Sequence, residues 1–203
     1  MLTLYSGTTC PFSQRCRIFA LEKGIDLKII NVDLFNKPEK LVSINPYNEV
    51  PALIDRDLEL FESNIINEYI EDRFPDPQLI PADVAMRART RLYLHRFEQE
   101  LFSQVKILDH GTAKEKELAR STIIAHLVQI SPVLAKQPYL LGNDFSVLDI
   151  VLGPLLWRLG HYQITLPKEG QALLQYAERV FQRPSFLNSL TADEKAMRQT
   201  SKA

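Results

Sequence analysis

Two cysteines among 203 residues, Cys10 and Cys16, are too few for a disulfide framework. Six positions apart on one expected helix, they point away from each other, which suits a reduced protein in the cytoplasm. Long apolar runs are also missing. The longest, residues 150–157, falls well short of the ~20 residues that span a bilayer, so no membrane association is expected. The first residues, MLTLYSG, carry no basic stretch and no cleavage site, so no secretory signal is expected. There is no surplus of charge: 24 Lys and Arg face 25 Asp and Glu, a net charge of −1. A general nucleic-acid binder needs a cationic surplus to replace phosphate counterions, so direct nucleic-acid binding is not expected. The four histidines (His95, His110, His126 and His161) lie far apart, and none has metal-ligand spacing with another His, Cys or acid. No metal is expected.

What is present has two parts. Residues 2–5 read as a strand and residues 11–21 as a helix, with Pro11 in its first turn and Gly24 just past its end. Residues 27–32 alternate and are β-branched, which predicts a second strand. A polar loop with a short helix follows. The stretch PALIDRDLELF then reads as two strands around a tight turn at Arg56-Asp57. Glu62-Ser63 opens a helix with Ile65, Ile66, Tyr69 and Ile70 on one face. This β-α-β-α-β-β-α order makes a small α/β domain, residues 1–76, with a linker over 77–84. The linker region is stiffened by three prolines in PDPQLIP. Residues 85–203 read as all-helical, with helices over about 83–110, 113–134, 146–159, 169–181 and 191–199. No internal repeat or low-complexity segment interrupts the pattern.

Several short stretches carry chemistry, each beside a plainer reading. Cys10 stands at the start of the first helix, where unpaired N–H groups and the macrodipole stabilise a thiolate. Arg15 and Arg17 add positive charge nearby. The plainer reading is a small buried residue at a strand–helix turn. Ser13 occupies the place of a second cysteine in C-P-F-S, which leaves only monothiol chemistry through a mixed disulfide. Val50-Pro51 is either an ordinary strand-initiating proline or a cis-proline that exposes the Val50 backbone to an extended peptide. Glu62 and Ser63 suit the charged end of such a peptide, or form a simple N-cap. Ser146 and Asp149 read as a capping box, a structural feature. Pro75-Asp76-Pro77 is a helix stop, or a rigid surface ridge that loses little entropy on binding a partner.

Together, LYSGTTCPFSQRCRIFALEKGI, NPYNEVPALI, LFESNIINEYI and FSVLDIVLGPLLWRL resemble the glutathione S-transferase superfamily over essentially the whole chain. The resemblance implies a thioredoxin-like N-terminal domain, with a mixed four-stranded sheet and helices, joined to a C-terminal helical bundle. It also implies a glutathione-like pocket built from Cys10, Phe12, Val50, Pro51, Glu62 and Ser63. The stretches RLYLHRFEQE (91–100), SPVLAKQPYLLGNDFSVLDIVLGPLLWRL (131–159) and VFQRPSFLNSLTADEKAMR (180–198) are similar to the stringent starvation protein A branch. Members of that branch are transcription regulators that bind RNA polymerase holoenzyme under starvation or stress. They are homodimers and require no cofactor. The dimer pairs the first domain of one subunit with helices around residues 87–108 of the other, where Tyr93, His95, Phe97 and Phe102 serve in the interface or in the core. In that branch a Pro-His-Pro segment marks the polymerase contact, and Pro75, Asp76 and Pro77 match it with an acid in place of the imidazole. The C-P-F-S context also resembles omega-class, cysteine-type transferases. The alternative is therefore a glutathione transferase or thioltransferase using Cys10 as the catalytic residue, with glutathione as its cofactor.

Overall fold

The computed structural model describes residues 2–199, apart from the side chain of Gln199. A four-stranded mixed sheet organises the first part of the chain. Strands β1 (Thr3–Gly7), β2 (Lys28–Val32), β3 (Ala52–Asp55) and β4 (Leu58–Phe61) lie in the order β2-β1-β3-β4. The β1–β2 pair is parallel and needs a crossover, which α1 (Pro11–Glu22) supplies. The β1–β3 and β3–β4 pairs are antiparallel. Arg56, with φ 59°, makes the tight turn between β3 and β4 that the sequence predicts. Tyr5, Val32, Ala52, Leu41 and Ile44 form a core cluster, the last two from α2 (Glu39–Ile44). Helix α3 (Ser63–Arg73) packs on α1 and buries Ile66 and Ile70, whereas Ile65, expected on the same face, is exposed.

The helical part starts at α4 (Val84–Phe97). The expected single helix to His110 is interrupted: a π-helical segment, Glu98–Phe102, separates α4 from α5 (Ser103–His110). The extra residue in the turn shifts the register of the side chains that follow. Leu92 and Leu118 are exposed. Helix α6 (Ala113–Leu134) buries Ile123, Leu127 and Leu134. Helix α7 (Val147–Trp157) is apolar around its circumference and buried along ten of its residues, as a core helix must be. The Asp149 carboxylate accepts hydrogen bonds from the Ser146 N–H (2.8 Å), the Ser146 hydroxyl (3.0 Å), the Leu140 N–H (3.0 Å) and the Tyr176 hydroxyl (2.8 Å). The capping box thus reaches two segments beyond its own helix. Helix α8 (Gln171–Phe181) completes this body.

Compactness divides the chain into two units. One comprises the chain up to Leu79 together with Pro184–Ala196, and the other is built on Ile80–Arg183. The segment 184–196, which sequence order assigns to the helical part, belongs with the sheet. Helix α9 (Pro184–Ser189) packs against α1, and the start of α10 (Ala192–Gln199) is joined to α1 through Glu194. The reason is electrostatic. Arg17 is buried in α1, and Glu194 pairs with it bidentately at 2.9 and 2.7 Å. Among the described residues no helix is long and apolar enough to cross a membrane.

Candidate functional site

The C-terminal end of β1 leads to a turn that delivers Cys10 to the N-cap of α1, with Pro11 next in the helix. Two features make that turn. The Gly7 N–H donates to the Ser13 hydroxyl at 3.0 Å, closing the loop onto the helix. A Cβ on Gly7 would lie 2.8 Å from the Cys10 Cβ, 2.9 Å from Leu34 and 3.0 Å from Val50. Gly7 is therefore the position over which the Cys10, Leu34 and Val50 side chains close, and motif reading passed over it. Ser13 stands where a dithiol enzyme carries its second cysteine, and here its hydroxyl is structural.

Cys10 is buried, and its thiol donates to the Val50 carbonyl at 3.6 Å. The Val50–Pro51 peptide bond is cis, as the functional reading of that proline expected. Cys16 lies deeper, and burial pushes its thiol far above the usual range despite the neighbouring Arg15. The two cysteines are free. Burial disfavours a Cys16 thiolate, so the cysteine placed for thiol chemistry is Cys10.

The second wall comes from the start of α3. Ser63 is buried, and its hydroxyl accepts from the Arg15 guanidinium at 3.0 Å rather than capping the helix. Arg15 also lies 4.8 Å from the centroid of the Phe12 ring. Arg15 is thus the residue that ties Phe12 on α1 to Ser63 on α3, a role its local sequence did not reveal. Glu62 is exposed, makes no capping bond and has φ 69°. A non-glycine residue in that region carries roughly 1–3 kcal/mol of strain, and such residues gather at ligand sites. The simple N-cap reading of Glu62-Ser63 therefore fails on both residues. Arg17 does not lend its charge to Cys10 as expected. Besides Glu194 it donates to the Ser189 carbonyl at 2.8 Å, the Gly7 carbonyl at 3.3 Å and the Ser6 hydroxyl, so its charge is neutralised within the core.

Pro75, Asp76 and Pro77 follow the Phe74 C-cap of α3 and are all exposed. The Asp76–Pro77 peptide bond is also cis. Within the helical unit, a cavity of ≈ 270 Å³ opens between α4, the π-helical segment and α6, with Arg96, Glu100 and His126 among its polar residues. Arg96 holds the Glu100 carboxyl below the usual carboxylate range through bonds of 2.9 and 3.1 Å. Phe97 and Phe102 are buried in this unit, Tyr93 lines the cavity and His95 is exposed. No cluster of three metal-ligating side chains occurs among the described residues.

Residues 1–72 match the glutathione S-transferase N-terminal domain, and residues 85–179 match the glutathione S-transferase C-terminal domain. Over 200 residues the chain is 38% identical to a stringent starvation protein A homolog of Coxiella burnetii, covering 98% of this chain and 96% of that one. The glutathione transferase Omega 3C of Trametes versicolor aligns with a TM-score of 0.81 at 28% identity, covering 94% of this chain and 89% of that one. A sphingomonad glutathione S-transferase complexed with glutathione aligns at 0.84 and 28% identity, over 96% and 98%.

Proposed function

Because the chain belongs to the stringent starvation protein A family of the glutathione S-transferase superfamily, we propose that it is an RNA polymerase-binding transcription regulator of the stress or starvation response. It acts in the cytoplasm by protein–protein contact with the holoenzyme. The observation that carries this reading is the full-length likeness to a relative of that name. The exposed ridge of Pro75, Asp76 and Pro77 supports it and supplies the contact surface. Asp76 makes the ridge an acceptor and an anion, so the matching polymerase surface is basic. The protein works as a homodimer through α4. Val84 (83% exposed) and Leu92 (56% exposed), eight residues apart, leave apolar surface on one face of that helix for the second copy. The test is gel filtration with RNA polymerase holoenzyme. The wild type co-elutes, and the variant carrying Pro75→Ala, Asp76→Ala and Pro77→Ala does not. Absence of wild-type co-elution at micromolar concentration refutes the reading.

The geometry around Cys10 favours a second reading, a glutathione-dependent thioltransferase. The Cys10 thiolate attacks a glutathione mixed disulfide, forming a Cys10–glutathione disulfide and releasing the substrate thiol. A second glutathione thiolate then attacks the glutathione sulfur, forming oxidised glutathione and restoring the Cys10 thiolate. The Val50 backbone holds the peptide, and Glu62 and Ser63 take its γ-glutamyl end. Retention on glutathione resin, lost in Cys10→Ser and in Glu62→Ala, is the expected result. No retention of the wild type removes this reading.

A further inference from the structure

A lysine at a helix C-terminus ordinarily lies in solvent, where its charge meets the helix dipole. Lys23, the C-cap of α1, has a side chain with 0% exposure. Its ammonium has three donors, and each has an acceptor: the Pro77 carbonyl at 2.5 Å, the Pro75 carbonyl at 3.3 Å and the Glu71 carboxylate at 2.6 Å. Glu71 in turn accepts from the Leu79 N–H at 3.2 and 3.3 Å. Prolines have no N–H, so their carbonyls are the only polar backbone groups by which residues 75 and 77 can be held. Lys23 holds both, and Glu71 holds the chain two residues further on. Asp76 stands between the two held carbonyls. It is exposed, with no hydrogen-bond or ion-pair partner among the described residues. The Lys23–Glu71 pair is neutral as a unit, which leaves the Asp76 charge uncompensated at the surface.

We propose that Lys23 and Glu71 are positioning residues for partner binding. They lock the backbone of residues 75–79 so that Asp76 is presented, already ordered, to a basic surface of the polymerase. The inference rests on the polymerase reading above. A loop fixed before encounter spares the complex the entropy of ordering it, which is about tenfold in affinity for one backbone residue.

The test separates positioning from plain charge balance. Lys23→Met keeps the aliphatic stem but leaves Glu71 buried without the Lys23 ammonium. The double variant Lys23→Met with Glu71→Gln removes both charges, keeps an acceptor for Leu79 and still releases the two prolyl carbonyls. Two quantities are read on the full-length protein: affinity for holoenzyme, and amide hydrogen exchange at Leu79, whose buried N–H is bonded to Glu71. The expected result is that the double variant recovers the wild-type urea midpoint, yet binds polymerase about tenfold more weakly and exchanges faster at Leu79. A double variant that binds like the wild type overturns the proposal, because Lys23 then only balances Glu71. If the wild type itself does not bind polymerase, the functional reading fails and exchange alone decides the clamp. Unchanged exchange at Leu79 in Lys23→Met then overturns it.

Discussion

Arg17→Met tests how the start of the chain is built. Arg17 is buried in α1, and its guanidinium meets both Glu194 carboxylate oxygens, the Ser189 and Gly7 carbonyls and the Ser6 hydroxyl. Methionine keeps the apolar stem and deletes every one of these donors. Glu194, at 0% exposure, is left as a buried carboxylate without its cation. The Thr191 N–H at 3.0 Å still bonds to it, a capping contact that cannot replace a charge. Breaking one side of a buried ion pair costs ~3–5 kcal/mol, against the ~5–15 kcal/mol that holds a typical domain together. Urea unfolding followed by circular dichroism should therefore show a large drop in midpoint. Adding Glu194→Gln removes the stranded charge and should recover at least half of the loss, which makes the pair strongly non-additive. Because Arg17 also grips Ser6 and Gly7, thiol labelling of Cys10 should change in the single variant. A loss below ~1 kcal/mol, the range of exposed pairs, would refute the claim that this ion pair joins the 184–196 segment to the sheet unit.

Other outcomes follow from the same geometry. Gly7→Ala forces a Cβ against Cys10 and Val50 and should cost ~1–3 kcal/mol in denaturant unfolding, with altered Cys10 labelling. Iodoacetamide should modify Cys10 in the folded protein and reach Cys16 only after unfolding, because burial raises the Cys16 pKa; mass spectrometry of peptides reads both sites. Burial raises the Asp149 pKa above the usual aspartate value, outweighing its hydrogen bonds to Leu140, Tyr176 and Ser146. The folded state therefore holds that proton more tightly than the unfolded chain. Its contribution to stability falls as pH rises from the usual aspartate value through the raised one, and Asp149→Asn should flatten that part of the wild-type pH–stability curve. Asp149→Ala should cost at least ~2 kcal/mol at neutral pH, since it removes the N3 half of the capping box and strands the buried Tyr176 hydroxyl.

The sequence by itself determined the elements and their order. Period-2 alternation in KIINV, Pro11 at a helix start, Gly24 just past its end and the Ser146–Asp149 box are local signals, and local signals survive without a fold around them. The chemical identity of the Cys10 position was legible for the same reason, as was the proline ridge. Three things were decided only by tertiary structure. Arg17 looked like a helper for Cys10, but its acid lies 177 positions away, a separation no local pattern spans. Ser63 looked like a helix cap until Arg15, buried on another helix, took its hydroxyl. Lys23 carries no local signal of its role: Glu71 and the two prolyl carbonyls surround it at distances set by the packing of α1 against α3. In each case the deciding quantity is what a buried polar group finds within hydrogen-bond reach. Desolvation makes that partner obligatory, and the fold determines which partner it is.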